Sequence, residues 1–317
     1  MKTLLTARNL LLFGAIALGL LLGERVAPLD PLAMPILMLI MTVSLSGLPW
    51  GRFRRPLDLL RPMAVGAVLN MLVLGGTTLA LTWAFVDDPA LRAGFVLVAA
   101  APPGVAVIPF TRFCAGDLTI STAGLIGGFA VSPLVAPLIT AAFLGEGTLA
   151  PWHLLPALFK LLVVPFVAAQ LIIRLGLAQR VARRHGTVVN WGFAVIVLAA
   201  VGINRETFLG RFDLLLWAGV TAAASVFGTA GTLNALLRRA GVEREKRASL
   251  VLLGTVKMSA FSTAVGLALI GRTASVPGVL VTTFNIIFLM LAPHWLGAGR
   301  EDAPPRGASI DTRAGMV

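Results

Sequence analysis

The sequence predicts an all-α polytopic membrane protein of ten transmembrane helices, arranged as two inverted five-helix repeats. Composition is the first observation behind this. The 317 residues are 57% hydrophobic and 13% charged, with a mean hydropathy of +0.91, whereas a soluble domain carries roughly twice that charge fraction. The second is that the apolar residues fall in runs of about 20, the length that crosses a bilayer as a helix. The third is that the basic residues fall in short loops on alternate sides of these runs, as the positive-inside rule requires.

Ten apolar segments can be drawn, roughly at 10–28, 31–48, 63–85, 91–110, 118–143, 153–174, 188–204, 214–236, 247–270 and 274–296. Loops 49–62, 111–117, 174–187 and 237–246 hold 13 Lys and Arg, and the opposite loops hold five. That alternation puts both termini in the cytoplasm and the protein in the cell membrane, multi-pass. The beginning, Met1–Arg8 followed by Leu10–Gly23, resembles a signal peptide. Glu24-Arg25-Val26-Ala27-Pro28 follows in place of a small-residue cleavage site, so an uncleaved first helix is expected. The first two spans share the tight turn Pro28-Leu29-Asp30-Pro31. Residues 299–317, with Pro304-Pro305 and mixed charges, read as a disordered cytoplasmic tail.

An odd number of spans per half turns the second half upside down relative to the first. The halves are 1–147 (spans 1–5) and 148–298 (spans 6–10). Inverted repeats are common in secondary transporters, whose sites lie at the midplane between broken helices.

The net charge of +12 does not signal nucleic acid, because its residues follow membrane topology. The partners expected are a small organic anion and the lipid bilayer, with no obligate protein partner evident. A single cysteine, Cys114, excludes an internal disulfide and any cysteine metal cluster. The three histidines, His153, His185 and His294, lie at segment ends, so no metal or cofactor is expected. No catalytic motif occurs, and the apolar interior supplies no acid, histidine or cysteine, which argues against an enzyme.

Lys257 is the exception to the apolar interior. It lies roughly 15 Å from either end of its run, near the bilayer midplane. A charge there costs on the order of 3 kcal/mol on insertion scales, and in general faces a cavity or marks a transport path. No Asp or Glu lies in the interior of any span, so its partner must come from elsewhere. Its neighbours Gly254, Thr255 and Ser259 complete the polar cluster of span nine. The equivalent span of the first half carries Ala101-Pro102-Pro103-Gly104 at mid-membrane. Pro103 lacks an N–H, Pro102 is pushed out of the helical region, and Gly104 permits a turn. Backbone groups freed by such a break are tolerated in lipid only where protein or a watery cavity satisfies them.

Elsewhere, Asn70, Asn285, Ser121 and Thr122 either face a cavity or join helices by hydrogen bonds. Lys160 is shallow enough to reach outward. Arg112 and Asp117 flank a short loop and are placed to pair. Gly124, Gly127 and Gly128 permit close helix packing.

The stretch Ala101-Pro102-Pro103-Gly104, then Thr111, Gly116-Asp117 and Ser121, resembles the crossing-helix signature of the bile acid:sodium symporter family, of the bacterial apical-sodium-dependent-bile-acid-transporter-like kind. The likeness covers about residues 10–296 and is motif-dense in 99–122 and 250–268. It implies a panel domain of spans 1, 2, 6 and 7 and a core domain of spans 3–5 and 8–10, with the broken spans 4 and 9 crossing in the core. The family's sodium ligands are missing. Its Ser-Asn pair falls on Val107-Ile108, a Thr falls on Leu125, and its Glu-x-Gly-Met-Gln falls on Thr255-Val256-Lys257-Met258-Ser259. Ser121 alone matches a sodium-binding serine.

These residues lead to an expected secondary transporter of a small organic anion, sodium-independent, in which Lys257 replaces the coupling ion. Lys257, Thr255 and Ser121 are the expected ion-coupling residues. Pro103, Gly104, Val105, Ala106, Asn70, Ser259 and Asn285 are the expected substrate-binding residues. The ammonium could bond carbonyls freed by the Pro102-Pro103 break, and the N–H groups near Val105 and Ala106 could attract the anion. Proton coupling and uniport both fit. A sodium-coupled symporter is the alternative, and a membrane receptor that kept the transporter fold is the alternative of another class.

Overall fold

A computed structural model describes residues 2–47, 56–144 and 151–296. The fold is all-α, and the described residues form no strand. The disordered-tail expectation for 299–317 lies outside the described residues.

Helix α1 (Lys2–Leu22) stops at Gly23, whose φ of +57° suits a residue without a Cβ. The span expected to reach residue 28 is therefore shorter. A 3-10 run, Gly23–Leu32, carries Pro28 and Pro31 and leads into α2 (Ala33–Ser46). The chain from α3 (Pro56–Ala67) to α4 (Gly75–Phe85) is continuous through a π-helical stretch, Val68–Leu74. The next helix, α5 (Pro89–Ala100), starts on Pro89 and is capped by the Asp88 carboxylate, which accepts from Leu91 N at 2.9 Å.

After α6 (Val107–Phe113) comes α7 (Leu118–Phe143), capped by Asp117 through Thr119 N at 2.7 Å and Ile120 N at 3.1 Å. Asp117 is thus a helix cap, and the described ion pairs do not join it to Arg112. The reason is local: a carboxylate at this position meets the helix's free N–H groups first. Next are α8 (Pro151–Arg174) and α9 (Ala178–Ile203). The latter starts well before the apolar run expected from residue 188, because hydropathy marks the bilayer and not the helix end. Lys160 on α8 is exposed, as its shallow position suggested.

A short α10 (Arg205–Gly210) precedes α11 (Phe212–Ala223), which runs through a second π-helical stretch, Ala224–Gly228, into α12 (Thr229–Arg239). Helix α13 (Arg244–Leu253) is followed by α14 (Ser259–Val265), which continues as a π-helical Gly266–Ile270. A 3-10 turn, Thr273–Ser275, leads to α15 (Val276–Trp295).

Among the described residues, six apolar stretches are long enough to cross a membrane: Leu10–Ser46, Leu59–Phe85, Leu118–Phe143, Ala178–Ile203, Phe212–Arg239 and Thr273–Trp295. The first spans 37 residues and holds two expected spans in one stretch. The expected spans at 91–110 and 247–270 are each split in two.

Two groups of helices can be distinguished by their packing. In one, α9 touches both α1 and α2, and α2 also touches α8. In the other, α7 packs on α3, α5 and α13, and α15 packs on α5, α11 and α14. The groups meet where α8 packs on α7, where α14 and α15 reach α9, and where α14 reaches α2. Small residues set the spacing within the second group. A Cβ on Gly66 would lie 2.2 Å from Gly124 Cα, and one on Gly127 would lie 2.2 Å from Met63 O. These glycines let α3 and α7 approach backbone to backbone.

Candidate functional site

Both split spans break at their centres, and the breaks touch. The first break occupies Ala101–Ala106 between α5 and α6, and the second occupies Gly254–Met258 between α13 and α14. Pro103 and Lys257 form an antiparallel bridge. Gly104 N donates to Val256 O at 2.9 Å, and Met258 N donates to Pro102 O at 2.8 Å. Each break thus answers backbone groups the other has freed. Gly104 is needed at the contact, because a Cβ there would lie 2.9 Å from Val256 Cγ1 and 3.0 Å from Lys257 O. Pro103 in turn rests on α7, where a Cβ on Gly128 would meet Pro103 Cγ at 2.5 Å.

Two side chains complete the crossing. Lys257, only 3% exposed, sends its Nζ to Ala99 O at 2.6 Å and Ala101 O at 2.8 Å, with Met71 Sδ at 3.9 Å. These carbonyls end α5, where the helix dipole is negative. The described ion pairs include no partner for Lys257, so two backbone carbonyls and the Met71 thioether answer the charge. Asn70, fully buried in the π-helical stretch of the α3–α4 span, does the same for the other break. Its Nδ2 donates to Leu253 O at 2.9 Å and Val256 O at 3.2 Å. An ammonium caps one half-helix and an amide caps the other.

On the opposite face of the crossing lies a cavity of about 60 Å³, room for a few waters. Gly104, Val105 and Ala106 line it from the first break, and Lys257 and Ser259 from the second. Both segments present the starts of half-helices, the positive ends of their dipoles. Asn285 on α15 completes the polar lining. It is 5% exposed, and neither its Nδ2 nor its Oδ1 has a hydrogen-bond partner. A buried amide with both ends free is uncommon and calls for an occupant. One helical turn earlier on the same face, Thr282 Oγ1 donates to Ser259 Oγ at 2.8 Å. Ile40 of α2 and Val189 and Phe193 of α9 close the far wall, so the cavity lies between the two helix groups. A second hollow shares Val105 and carries Ser44, Arg112 and His185, which lie at the basic-loop end of the bundle.

The expected site residues separate into two sets. Gly104, Val105, Ala106, Lys257, Ser259 and Asn285 share the cavity, and Pro103 pairs directly with Lys257. Asn70 stands behind the crossing as a cap. Thr255 turns away, its Oγ1 donating to Val251 O at 2.7 Å. Ser121 is buried beside Thr111, whose Oγ1 lies 2.7 Å from Ser121 Oγ, and it does not line the cavity. Sequence reasoning missed Thr282, which its spacing of three from Asn285 could have signalled. It also missed Ile40, Val189 and Phe193, for which an apolar residue in an apolar helix gives no signal.

A many-helix membrane protein with two discontinuous spans meeting around a small, part-polar cavity belongs to the class of membrane transporters. The family model described as the sodium bile acid symporter family matches residues 34–211, more than half of the chain, and the chain belongs to that family. It is accordingly a transporter and not an enzyme. No curated protein matches the chain.

Proposed function

We propose that the protein is a secondary transporter of a small organic anion, that it works by alternating access, and that the Lys257 ammonium stands in place of a coupling sodium ion. One observation carries this reading: Lys257 Nζ bonds Ala99 O and Ala101 O across the contact of the two breaks. A cation held between two broken spans neutralises the carbonyl ends of the half-helices, as a bound sodium ion would. Here the cation is covalently part of the chain. The aligned positions Val107, Ile108 and Thr255 supply neither a carboxylate nor an amide ligand.

The anion fits the other face. The half-helix starts at Val105–Ala106 and Ser259 favour negative charge, and Asn285 offers an unpaired donor and acceptor. The cavity is small and is lined from both helix groups, so binding requires them to part there. In this reading α1, α2, α8 and α9 form the panel, and the remaining long helices form the core. The halves 1–147 and 148–298 are inverted repeats of five spans, with both termini cytoplasmic in the cell membrane. Support for the repeat comes from the π-helical stretches Val68–Leu74 and Ala224–Gly228, each of which precedes a broken span.

The test is uptake of organic anions into proteoliposomes, guided by a thermal-shift screen with and without sodium and across pH. Uptake without sodium is expected. Lys257→Met is expected to insert and fold while losing transport or its pH dependence. A strict sodium requirement, or full pH-dependent transport by Lys257→Met, overturns the role given to Lys257 and favours sodium symport.

A further inference from the structure

We infer that Glu24, Asn204, Arg272 and Ser275 form a polar latch that holds the two helix groups together at the end of the bundle opposite the basic loops. The latch must open before the cavity can face that side. This rests on the alternating-access reading, and it adds the contacts that keep one gate shut.

The cavity and the hollow beside it run toward Ser44, Arg112 and His185, at the basic-loop ends of α2, α6 and α9. The opposite ends of the same groups are joined instead. Asn204, at the end of α9, is 3% exposed, and its Nδ2 donates to Ala200 O at 2.7 Å and to Ser275 Oγ at 3.0 Å. Ser275, fully buried before α15, donates through Oγ to Arg272 O at 2.7 Å. Arg272 donates through Nη1 to Glu24 Oε1, and Glu24 follows α1. Two residues of one helix group therefore grip a single short segment of the other, Arg272–Ser275.

That segment is rigid enough to be gripped. Ala274 within it is 1% exposed. A Cβ on Gly94 of α5 would lie 2.3 Å from Ala274 O, and one on Gly266 would lie 2.5 Å from the same atom. The segment is wedged between α5 and the end of the broken span, so it moves with them as one body. The two links differ in strength. The Asn204–Ser275 bond is buried and shielded from water, whereas the Glu24–Arg272 pair is largely exposed, with side chains at 69% and 58%, and salt screens it. Asn204 is the principal closure, and the ion pair steers the ends together.

The experiment reads sidedness directly. Full-length protein carrying Cys114→Ser and the reporter Ala260→Cys, at a position that lines the cavity next to Ser259, is placed in oriented vesicles and exposed to an impermeant maleimide from either face. In this parent, labelling is expected from the basic-loop face only. Asn204→Ala is expected to raise labelling from the other face about fivefold, the population shift that follows loss of one net hydrogen bond. Arg272→Gln, at an exposed position that does not threaten folding, is expected to raise it about twofold. Exchanging the charges, Glu24→Arg with Arg272→Glu, is expected to restore the parent pattern. Unchanged labelling in the Asn204→Ala, Arg272→Gln double variant overturns the latch. Raised labelling in a protein that moves no organic anion leaves the latch standing and removes the transporter reading.

Discussion

The two breaks at the crossing have different origins. Ala101–Ala106 contains Pro102 and Pro103 in succession; both lack backbone N–H groups, and Pro103 pushes Pro102 out of the helical region, so the chain's own residues favour a break there. Gly254–Met258 contains no proline, and none of its residues has positive φ. Its sequence could continue a helix at the cost of one glycine, roughly 1 kcal/mol. It breaks because its polar backbone groups are claimed from outside. Val256 O accepts from Gly104 N and Asn70 Nδ2, and Met258 N donates to Pro102 O. The first break is written locally, and the second is imposed by tertiary contacts. Each is then secured by one side chain, Lys257 for the first and Asn70 for the second.

The largest effect should come from reversing the charge that secures the first break. Lys257→Glu sets a carboxylate against Ala99 O and Ala101 O, where all the partial charges are negative. An unpaired buried charge costs at least about 3 kcal/mol. The expected outcome is protein that does not extract as a monodisperse species, read by size-exclusion profile and thermal unfolding. Lys257→Met is gentler. It leaves two carbonyls unanswered but also removes a desolvated charge, and these effects oppose each other. Its unfolding free energy should change by less than about 2 kcal/mol even where transport is lost. Stable Lys257→Glu protein would mean that the first break does not depend on this cation.

The second break is tested through its cap. Asn70→Leu keeps the volume and removes the amide from Leu253 O and Val256 O. Leaving these buried acceptors without that donor should cost about 1–3 kcal/mol. Because Gly104 N still reaches Val256 O, the crossing should survive, with faster hydrogen exchange confined to the span-nine break. An equal loss of protection in both breaks would show that they unfold as one unit and that the distinction between them fails.

The same contrast explains what could be read before the structure. Pro102-Pro103-Gly104 announces its break because proline acts on its own backbone. Lys257 announces itself because a midplane charge is costly, and the freed carbonyls were the partners that chemistry allowed. The second break carries no local signal beyond Gly254 and a few polar side chains, and only the family resemblance suggested it. The far wall of the cavity was illegible. Ile40, Val189 and Phe193 differ from their apolar neighbours only in rotation about a helix axis, which packing decides. Asp117 was misread as an ion-pair partner, because an acid at a helix start has a nearer use as a cap. Span ends also drifted, since α9 continues into a basic segment that hydropathy excludes.

Ser121 gives the smallest and most discriminating change. It is the one residue that matches the family's sodium ligands, yet it sits outside the cavity, its Oγ 2.7 Å from Thr111 Oγ1. If it only joins α7 to α6, Ser121→Ala removes one neutral hydrogen bond. Thr111 keeps its bond to Val107 O at 2.8 Å, so the loss should be about 0.5–1.5 kcal/mol. Uptake should keep its rate and its response to sodium. If the first break instead holds an ion beside α7, the same substitution should change the ion dependence of uptake with little effect on stability. Measuring both quantities on one variant tells a packing bond from an ion ligand, and so decides whether Lys257 is the sole cation at the crossing.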